Sequence, residues 1–303
     1  MNGYRQPQRN SGEMLKQLFL GNSMLSRLIQ INTVVFIIVK IVSLFAFLSS
    51  ADPVHPLSVI GQYMALPASF HVLASKPWTI ITYMFLHEGF FHILFNIVML
   101  YFGGILFTEY LGEKRLLWTY LAGGIVGALF YLFSFNIFPV FAQVKSVSVA
   151  LGASASVLAI IVATAIYVPD YTVHLMLFGR VKLKYVAIAF VAIDLLSIPA
   201  GNPGGHIAHL GGAFWGFIYA LSLKNGTDLY RFLNVSAYTP KAKSTFSYEK
   251  QEYKRPVSDD EYNEQKIKKQ KKIDEILDKI SKSGYSSLTK EEKEFLFKTS
   301  KKN

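Results

Sequence analysis

Ser154 lies in the run Gly152-Ala153-Ser154-Ala155-Ser156, at the start of a stretch apolar enough to cross a membrane. His209 opens a second such stretch, within Gly205-His206-Ile207-Ala208-His209-Leu210-Gly211-Gly212. A third polar group, His87, His92 and Asn96, falls in the outer half of an earlier apolar run. Polar and titratable side chains inside a bilayer are costly and mark function. Serine is a weak nucleophile until a neighbouring base takes its proton, and histidine is the side chain best suited to do so near neutral pH. Ser154 as nucleophile and His209 as general base are therefore the candidate catalytic residues, and the chemistry is acyl transfer. The oxyanion that develops needs fixed donors. The Ser154 backbone N–H, His92 and the Asn96 amide are the candidates. His92 and Asn96 are four apart and share a helix face. His87 is five residues from His92, roughly 140° around a helix, and is assigned to support of the outer loop.

For these groups to meet, two helices must approach closely. The face carrying His209 contains Gly205, Ala208, Gly212, Ala213 and Gly216; the face carrying Ser154 contains Gly152, Ala155, Ser156, Ala159 and Ala163. Small residues at this spacing let helix backbones come together in lipid. Gly152 and Gly212 are thus expected as structural supports. Each seam taken alone favours plain packing, with its polar residues bonded to backbone.

Composition supports a membrane setting. The chain has 303 residues, 51% of them hydrophobic, and a mean hydropathy of +0.31. Charge is sparse from Ile31 to Leu223 and dense from Lys224 onward. A helix needs ~20 residues to cross the hydrocarbon. Apolar runs near residues 31–50, 86–108, 116–135, 149–168, 183–199 and 206–223 meet or approach that length. Ser154 is expected about one and a half turns inside the fourth. The fold expected is an all-α membrane protein, a six-transmembrane-helix bundle with a small helical tail. Its divisions are an N-terminal segment 1–30, a membrane domain 31–224, a linker 225–258 and a hairpin 259–303. Ser49-Ser50-Ala51 resembles a cleavage site, but the first span is read as a retained anchor.

Basic residues cluster before span one (Arg5, Arg9, Lys16, Arg27) and after spans two, four and six. The positive-inside rule then places both termini in the cytoplasm, and the location expected is a bacterial inner (plasma) membrane. The net charge of +11 has this simpler account, and no nucleic-acid partner is inferred. The absence of cysteine excludes disulfides, thiolate metal sites and a cysteine nucleophile. The connection from Ala51 to Phe85 is too apolar for a solvated loop and is read as a partly buried excursion on the outer face, with Trp78 at headgroup level. Lys40 in span one is expected to snorkel toward an interface.

Two further sets of polar residues were weighed. Asp194, in the outer half of span five, can in principle orient His209; the preferred reading is a carboxyl satisfied by backbone or loop groups. His87-Glu88 followed by His92 is one residue longer than the zinc-binding HExxH, and a spacing of five does not aim two ligands at one metal. His206 and His209 could join such a site, yet no firm acidic ligand accompanies them, and no metal and no cofactor are expected.

Taken together, His87-x4-His92-x3-Asn96, Gly152-Ala153-Ser154 and Ala208-His209-Leu210-Gly211-Gly212 with Gly216 resemble the rhomboid family of intramembrane serine proteases. Gly103-Gly104, Glu109 and Gly112 add to the likeness, which covers roughly residues 60 to 224. The resemblance implies a Ser–His dyad without an aspartate, with His92 and Asn96 binding the oxyanion. It also implies a membrane-lying first loop and single-pass transmembrane proteins as substrates. Ala155 departs from the family's Gly-x-Ser-Gly, Thr79 from its Trp-Arg pair, and Leu158 from a tyrosine against the catalytic histidine. None of these removes a reacting group. The rival of another class is a catalytically silent rhomboid-like factor that binds or extracts membrane helices. A small transporter is a further rival, though no internal repeat is visible.

In the tail, Ile267, Ile273, Ile276, Leu277 and Ile280 recur at roughly helical spacing. Thr289 with Glu292 forms a capping-box pattern, and Phe295 and Leu296 are placed to fold back on the isoleucines. A disordered linker is expected over about 236–258. The tail is a candidate for binding a cytoplasmic partner or a membrane surface.

Overall fold

The computed structural model describes residues 16, 18–49, 57–175, 179–231, 272–284, 287–289 and 291–295. The expected linker over 236–258, Arg5, Arg9, Ile267 and Leu296 lie outside them. The chain divides into two compact units, Met1–Tyr238 and Thr239–Asn303.

The first unit is mostly helical. Helix α1 (Met24–Ser49) is followed by a folded connection: α2 (Leu57–Met64), β1 (Leu66–Pro67), α3 (Phe70–Ser75) and α4 (Thr79–Thr82), which tightens into a 3-10 turn over Tyr83–Phe85. Next come α5 (Phe90–Leu111), α6 (Glu113–Ile137), β2 (Val149–Ala150) and α7 (Ser154–Tyr167). The hairpin β3 (Thr172–Leu175) and β4 (Gly179–Lys182) leads into α8 (Leu183–Ser197), and α9 (Pro203–Lys224) closes the unit. Two short antiparallel ladders, β1 with β2 and β3 with β4, join a fold that is otherwise helical, as expected.

Helices α1, α5, α6 and the stretch Leu183–Ala200 are long and apolar enough to cross a membrane. Helix α7 is shorter, at 14 residues, and the hydropathy of α9 is diluted by His206, His209 and its small residues. Outward-facing Ile38, Phe45, Phe91, Phe102, Ile188 and Leu196 are exposed, an apolar exterior suited to lipid.

Helix α7 is the centre of the packing: every residue from Ala155 to Ala165 is buried. Its neighbours reach it through glycine. A Cβ at Gly212 of α9 would fall on the Ala155 carbonyl, and one at Gly216 on the Ala159 carbonyl. Helix α6 presents Gly123 against the Ala159 side chain and Gly127 against the Ala155 side chain. Close backbone approach maximises dispersion contact where no hydrophobic drive exists between helices in lipid.

From residue 57 to 85 the connection after α1 is folded and partly buried, in keeping with its apolar sequence. Ala65, Leu66, Ala68, Tyr83 and Met84 are within 2% of full burial. Polar groups anchor it to the bundle. Tyr83 Oη donates to the Gly124 carbonyl at 2.6 Å, Tyr120 Oη donates to the Met84 carbonyl at 3.0 Å, and Asn136 donates to the Ala68 carbonyl at 2.7 Å. Trp78 is half exposed and donates through Nε1 to the Tyr63 carbonyl at 2.7 Å. Lys40 reaches the Glu88 carbonyl at 2.7 Å, so it binds the segment preceding α5. Beyond α7, hydrogen bonds from Lys182 and then Lys184 hold the exposed Asp170 carboxyl below its ordinary value.

In the second unit, residues 272–283 are helical and bury Ile276, and 291–295 form a second helical turn. The Thr289 N–H donates to Glu292 Oε2 at 2.7 Å, and the Glu292 N–H donates to Thr289 Oγ1 at 3.3 Å. This is the capping box read from the sequence. The Thr289 N–H, followed by Lys279, holds the Glu292 carboxyl below its ordinary value. Lys279 bridges to Glu292 at 3.0 Å, and Lys272 lies over the Phe295 ring at 5.1 Å.

Candidate active site

Two backbone devices set the site. The segment before α7 is extended through β2, tied by the Leu66↔Ala150 and Pro67↔Val149 pairs, and then turns at Gly152. The Gly152 φ of 131° is a conformation that an L side chain rarely adopts. A Cβ there would also meet His92 Nε2 at 2.9 Å. The Gly152 N–H is held by the Tyr83 carbonyl at 2.9 Å. Helix α7 therefore starts at Ser154 itself, correcting the expected depth of one and a half turns: the first residues of that apolar run are extended, not helical. Ser154 gains by this an N–H in the first turn, where amides have no intrahelical acceptor and the helix dipole favours negative charge.

The second device starts α9. Gly201-Asn202-Pro203 reverses the chain, with Asn202 in the left-handed region at φ 46° and Pro203 at the first helical position. The Asn202 side chain caps the helix by accepting from the Gly205 N–H at 3.1 Å. Proline suits this position because its missing N–H would be unpaired there anyway. His206 and His209 follow three residues apart, on one side of the first two turns.

These devices bring Ser154 and His209 together. His209 Nε2 stands 2.6 Å from Ser154 Oγ, a hydrogen bond across the α7–α9 seam. The other ring nitrogen is also engaged: His209 Nδ1 lies 2.8 Å from Asp194 Oδ1. The same oxygen lies 2.8 Å from His206 Nδ1. The Asp194 carboxyl is thus satisfied by two imidazoles from α9, which corrects the reading that backbone or loop groups satisfy it. Asp194 is buried while the two histidine side chains remain about one quarter exposed.

The remaining candidates divide. His92 packs its ring against Gly152, beside Ser154. Asn96 is buried and donates one amide hydrogen to the His92 carbonyl at 2.9 Å, which leaves its second for another acceptor. His87 is buried with its ring 5.1 Å from that of His92, edge to face. Neither ring nitrogen of His87 has a well-directed hydrogen bond among the described residues. Ser156 is fully buried, with Oγ 4.0 Å from Met84 Sδ, turned to the α4 side of the helix rather than to His209. Gly212 brings α9 onto the Ala155 carbonyl, one residue beyond Ser154.

The sequence offered His206 only as a companion of His209 at a metal site, not as a partner of Asp194, and the glycine face of α6 was passed over. The run Gly123-Gly124-Ile125-Val126-Gly127 carried the signal for that face, having the same small-residue spacing as the other seams. Asp194, His206 and His209 have ligand atoms within 4.8 Å of one another, which is near enough to consider a metal ion. Two ligands on tetrahedral zinc, at about 2.0–2.1 Å from the metal, stand roughly 3.3 Å apart. The two 2.8 Å spacings to one oxygen are those of hydrogen bonds.

A helical membrane protein with a serine and a histidine hydrogen-bonded across a small-residue seam is the class defined so far. The rhomboid domain matches residues 74–225, about half of the chain, and the chain belongs to the rhomboid family. A family of unknown function, DUF6576, matches residues 258–302. Among similar proteins is the RHOMBOID-like protein 12, mitochondrial, of Arabidopsis thaliana. It is 34% identical over 144 residues, which make up 45% of this chain and 43% of that protein. The similarity thus spans less than half the length of either chain.

Proposed function

We propose that this protein is an intramembrane serine endopeptidase that cleaves single-pass transmembrane proteins near the outer face of the membrane. The observation that carries the reading is the 2.6 Å contact between His209 Nε2 and Ser154 Oγ. That is the distance over which a general base takes a proton from a nucleophile.

Ser154 Oγ attacks the scissile carbonyl as its proton passes to His209 Nε2. The oxyanion forms beside the Ser154 N–H, with His92 and the free amide hydrogen of Asn96 as side-chain donors. Collapse of the tetrahedral intermediate expels the amine, which takes the proton back from His209. Water then attacks the acyl-enzyme with His209 as base. His87, Gly152 and Gly212 support the frame. The site needs no metal and no cofactor for any of these steps.

The topology proposed is the one expected from the sequence. In this reading α1, α5, α6, α7, α8 and α9 make six crossings, with both termini in the cytoplasm of a bacterial cell and the 57–85 connection on the outer face. The Arabidopsis relative is mitochondrial by name. The tail from 259 onward is assigned to a cytoplasmic partner or membrane surface.

Reconstitution in liposomes with a single-pass reporter tests the function. Wild type is expected to cut the reporter, and Ser154→Ala and His209→Ala are expected to leave it intact. Helix binding without cutting by a folded wild type would favour the silent binding factor instead.

A further inference from the structure

Helix α8 is the least embedded of the long helices in the first unit. Only Leu183, Ala187 and Asp194 are buried along it, and both neighbours of Asp194, Ile193 and Leu195, are 58% exposed. A carboxylate on such a helix is costly in lipid unless it is paired and placed for a purpose. Asp194 turns inward, and its Oδ1 meets His206 Nδ1 and His209 Nδ1, each at 2.8 Å. An ionised carboxylate only accepts hydrogen bonds, so both contacts require a proton on Nδ1. A neutral His209 protonated there carries its lone pair on Nε2, the atom facing Ser154 Oγ. That tautomer can accept the serine proton; the other cannot.

We propose that Asp194 is a positioning residue that fixes His209 with its proton on Nδ1, and that His206 is the clamp that aims Asp194. This rests on the reading of Ser154 and His209 as the reacting pair, and it turns a two-residue site into a Ser–His–Asp constellation. The chain order is Ser154, Asp194, His209. The third group arrives from a helix that contributes little else to the core, so docking of α8 on α9 and orientation of the base become one event. His206, one turn before His209, shares the carboxylate oxygen from the far side. It keeps Asp194 from swinging toward the outer surface, so its loss costs less than loss of the carboxylate.

The test combines ring nitrogen-15 shifts of histidine-labelled protein in lipid bilayers with labelling rates by a serine-directed phosphonate. The His209 signals are assigned with His209→Gln. In wild type His209 is expected to carry its proton on Nδ1. In Asp194→Asn, where the amide can donate instead of accept, the proton is expected to move to Nε2. Labelling of Ser154 is expected to slow by roughly 10²-fold or more, the scale of a wrong-tautomer defect, with a thermal midpoint near that of wild type. The neutral-pH plateau of the labelling rate is expected to disappear and the rate to keep rising toward alkaline pH. Asp194→Glu is expected to restore the Nδ1 tautomer and part of the rate, and His206→Ala to lose less than Asp194→Asn.

An unchanged tautomer in Asp194→Asn, with labelling within about threefold of wild type, overturns the proposal. So does a rate loss that follows a drop in stability alone. If wild type shows no Ser154-dependent labelling while the tautomer still follows residue 194, the hydrolase reading falls and the hold of Asp194 on His209 stands.

Discussion

The seam between α7 and α9 and the seam between α8 and α9 meet at the same histidine but are built on opposite principles. Along α7 every residue from Ala155 to Ala165 is buried, and Gly212 and Gly216 leave no room for a side chain against its carbonyls. Along α8 three residues of fifteen are buried, and one of those is the carboxylate. The first seam is held by backbone contact, which fixes distance; the second is held toward the C-terminal end of α8 by two hydrogen bonds, which fix direction. A nucleophile and its base need a distance kept to a few tenths of an ångström, whereas an orienting group needs only its angle and its charge. Under the proposed function, rigid packing serves the pair, and a loosely packed helix suffices for the orienting group.

Gly212→Val should break this contrast most sharply. Its side chain collides with the Ala155 carbonyl, so the helices must part, at a cost of about 1–3 kcal/mol or more. Ser154 labelling should vanish and the thermal midpoint fall. Leu196→Ala, on the 76% exposed side of α8, should change stability by less than about 0.5 kcal/mol and leave labelling intact. Equal effects of the two would refute the difference between the seams.

Gly152→Ala comes next. The φ of 131° and the His92 ring together oppose a side chain, with strain of about 1–3 kcal/mol. Labelling should fall by roughly tenfold or more as Ser154 moves from its donors, and a crystal structure of the variant should show His92 displaced.

Asn202→Ala removes the α9 cap and should destabilise the first unit by about 1 kcal/mol, read as a lower thermal midpoint. Asn202→Gly should lose less, since glycine accepts the positive φ.

The smallest effect concerns the tail. The Glu292 carboxyl is held below its ordinary value of 4.5. Its contribution is therefore present above that unfolded value and is lost as pH falls through the lower folded one. Amide exchange in 291–295 should quicken over that acidic window in wild type, and Thr289→Ala should quicken it at every pH by removing a cap worth about 1 kcal/mol.

The hydrogen-bonded pair of Ser154 and His209 was legible in the sequence because a serine and a histidine near the starts of apolar runs, each beside a stripe of small residues, leave few other readings. The helix starts were less so. An apolar run over 149–168 has the same composition whether its first residues are extended or helical, and only the pairing of Val149 and Ala150 with β1 decides. Asp194 was visible as a residue able to orient His209, but nothing in the sequence decided between that and backbone or loop partners. Which way it faces depends on how Gly201-Asn202-Pro203 rotates α9 against α8, and that turn lies outside any helical periodicity. The folded connection after α1 announced itself by its apolar residues, while its anchors, Tyr83 to Gly124 and Asn136 to Ala68, join segments too far apart in sequence for spacing to reveal.

The most direct measurement is labelling of the full-length protein in detergent with a serine-hydrolase-directed electrophile, comparing wild type with Ser154→Ala, His209→Ala and Ser156→Ala. The account predicts a labelled wild type, a labelled Ser156→Ala, and no label in the Ser154 and His209 variants. Folded wild type labelling no more than Ser154→Ala would contradict it.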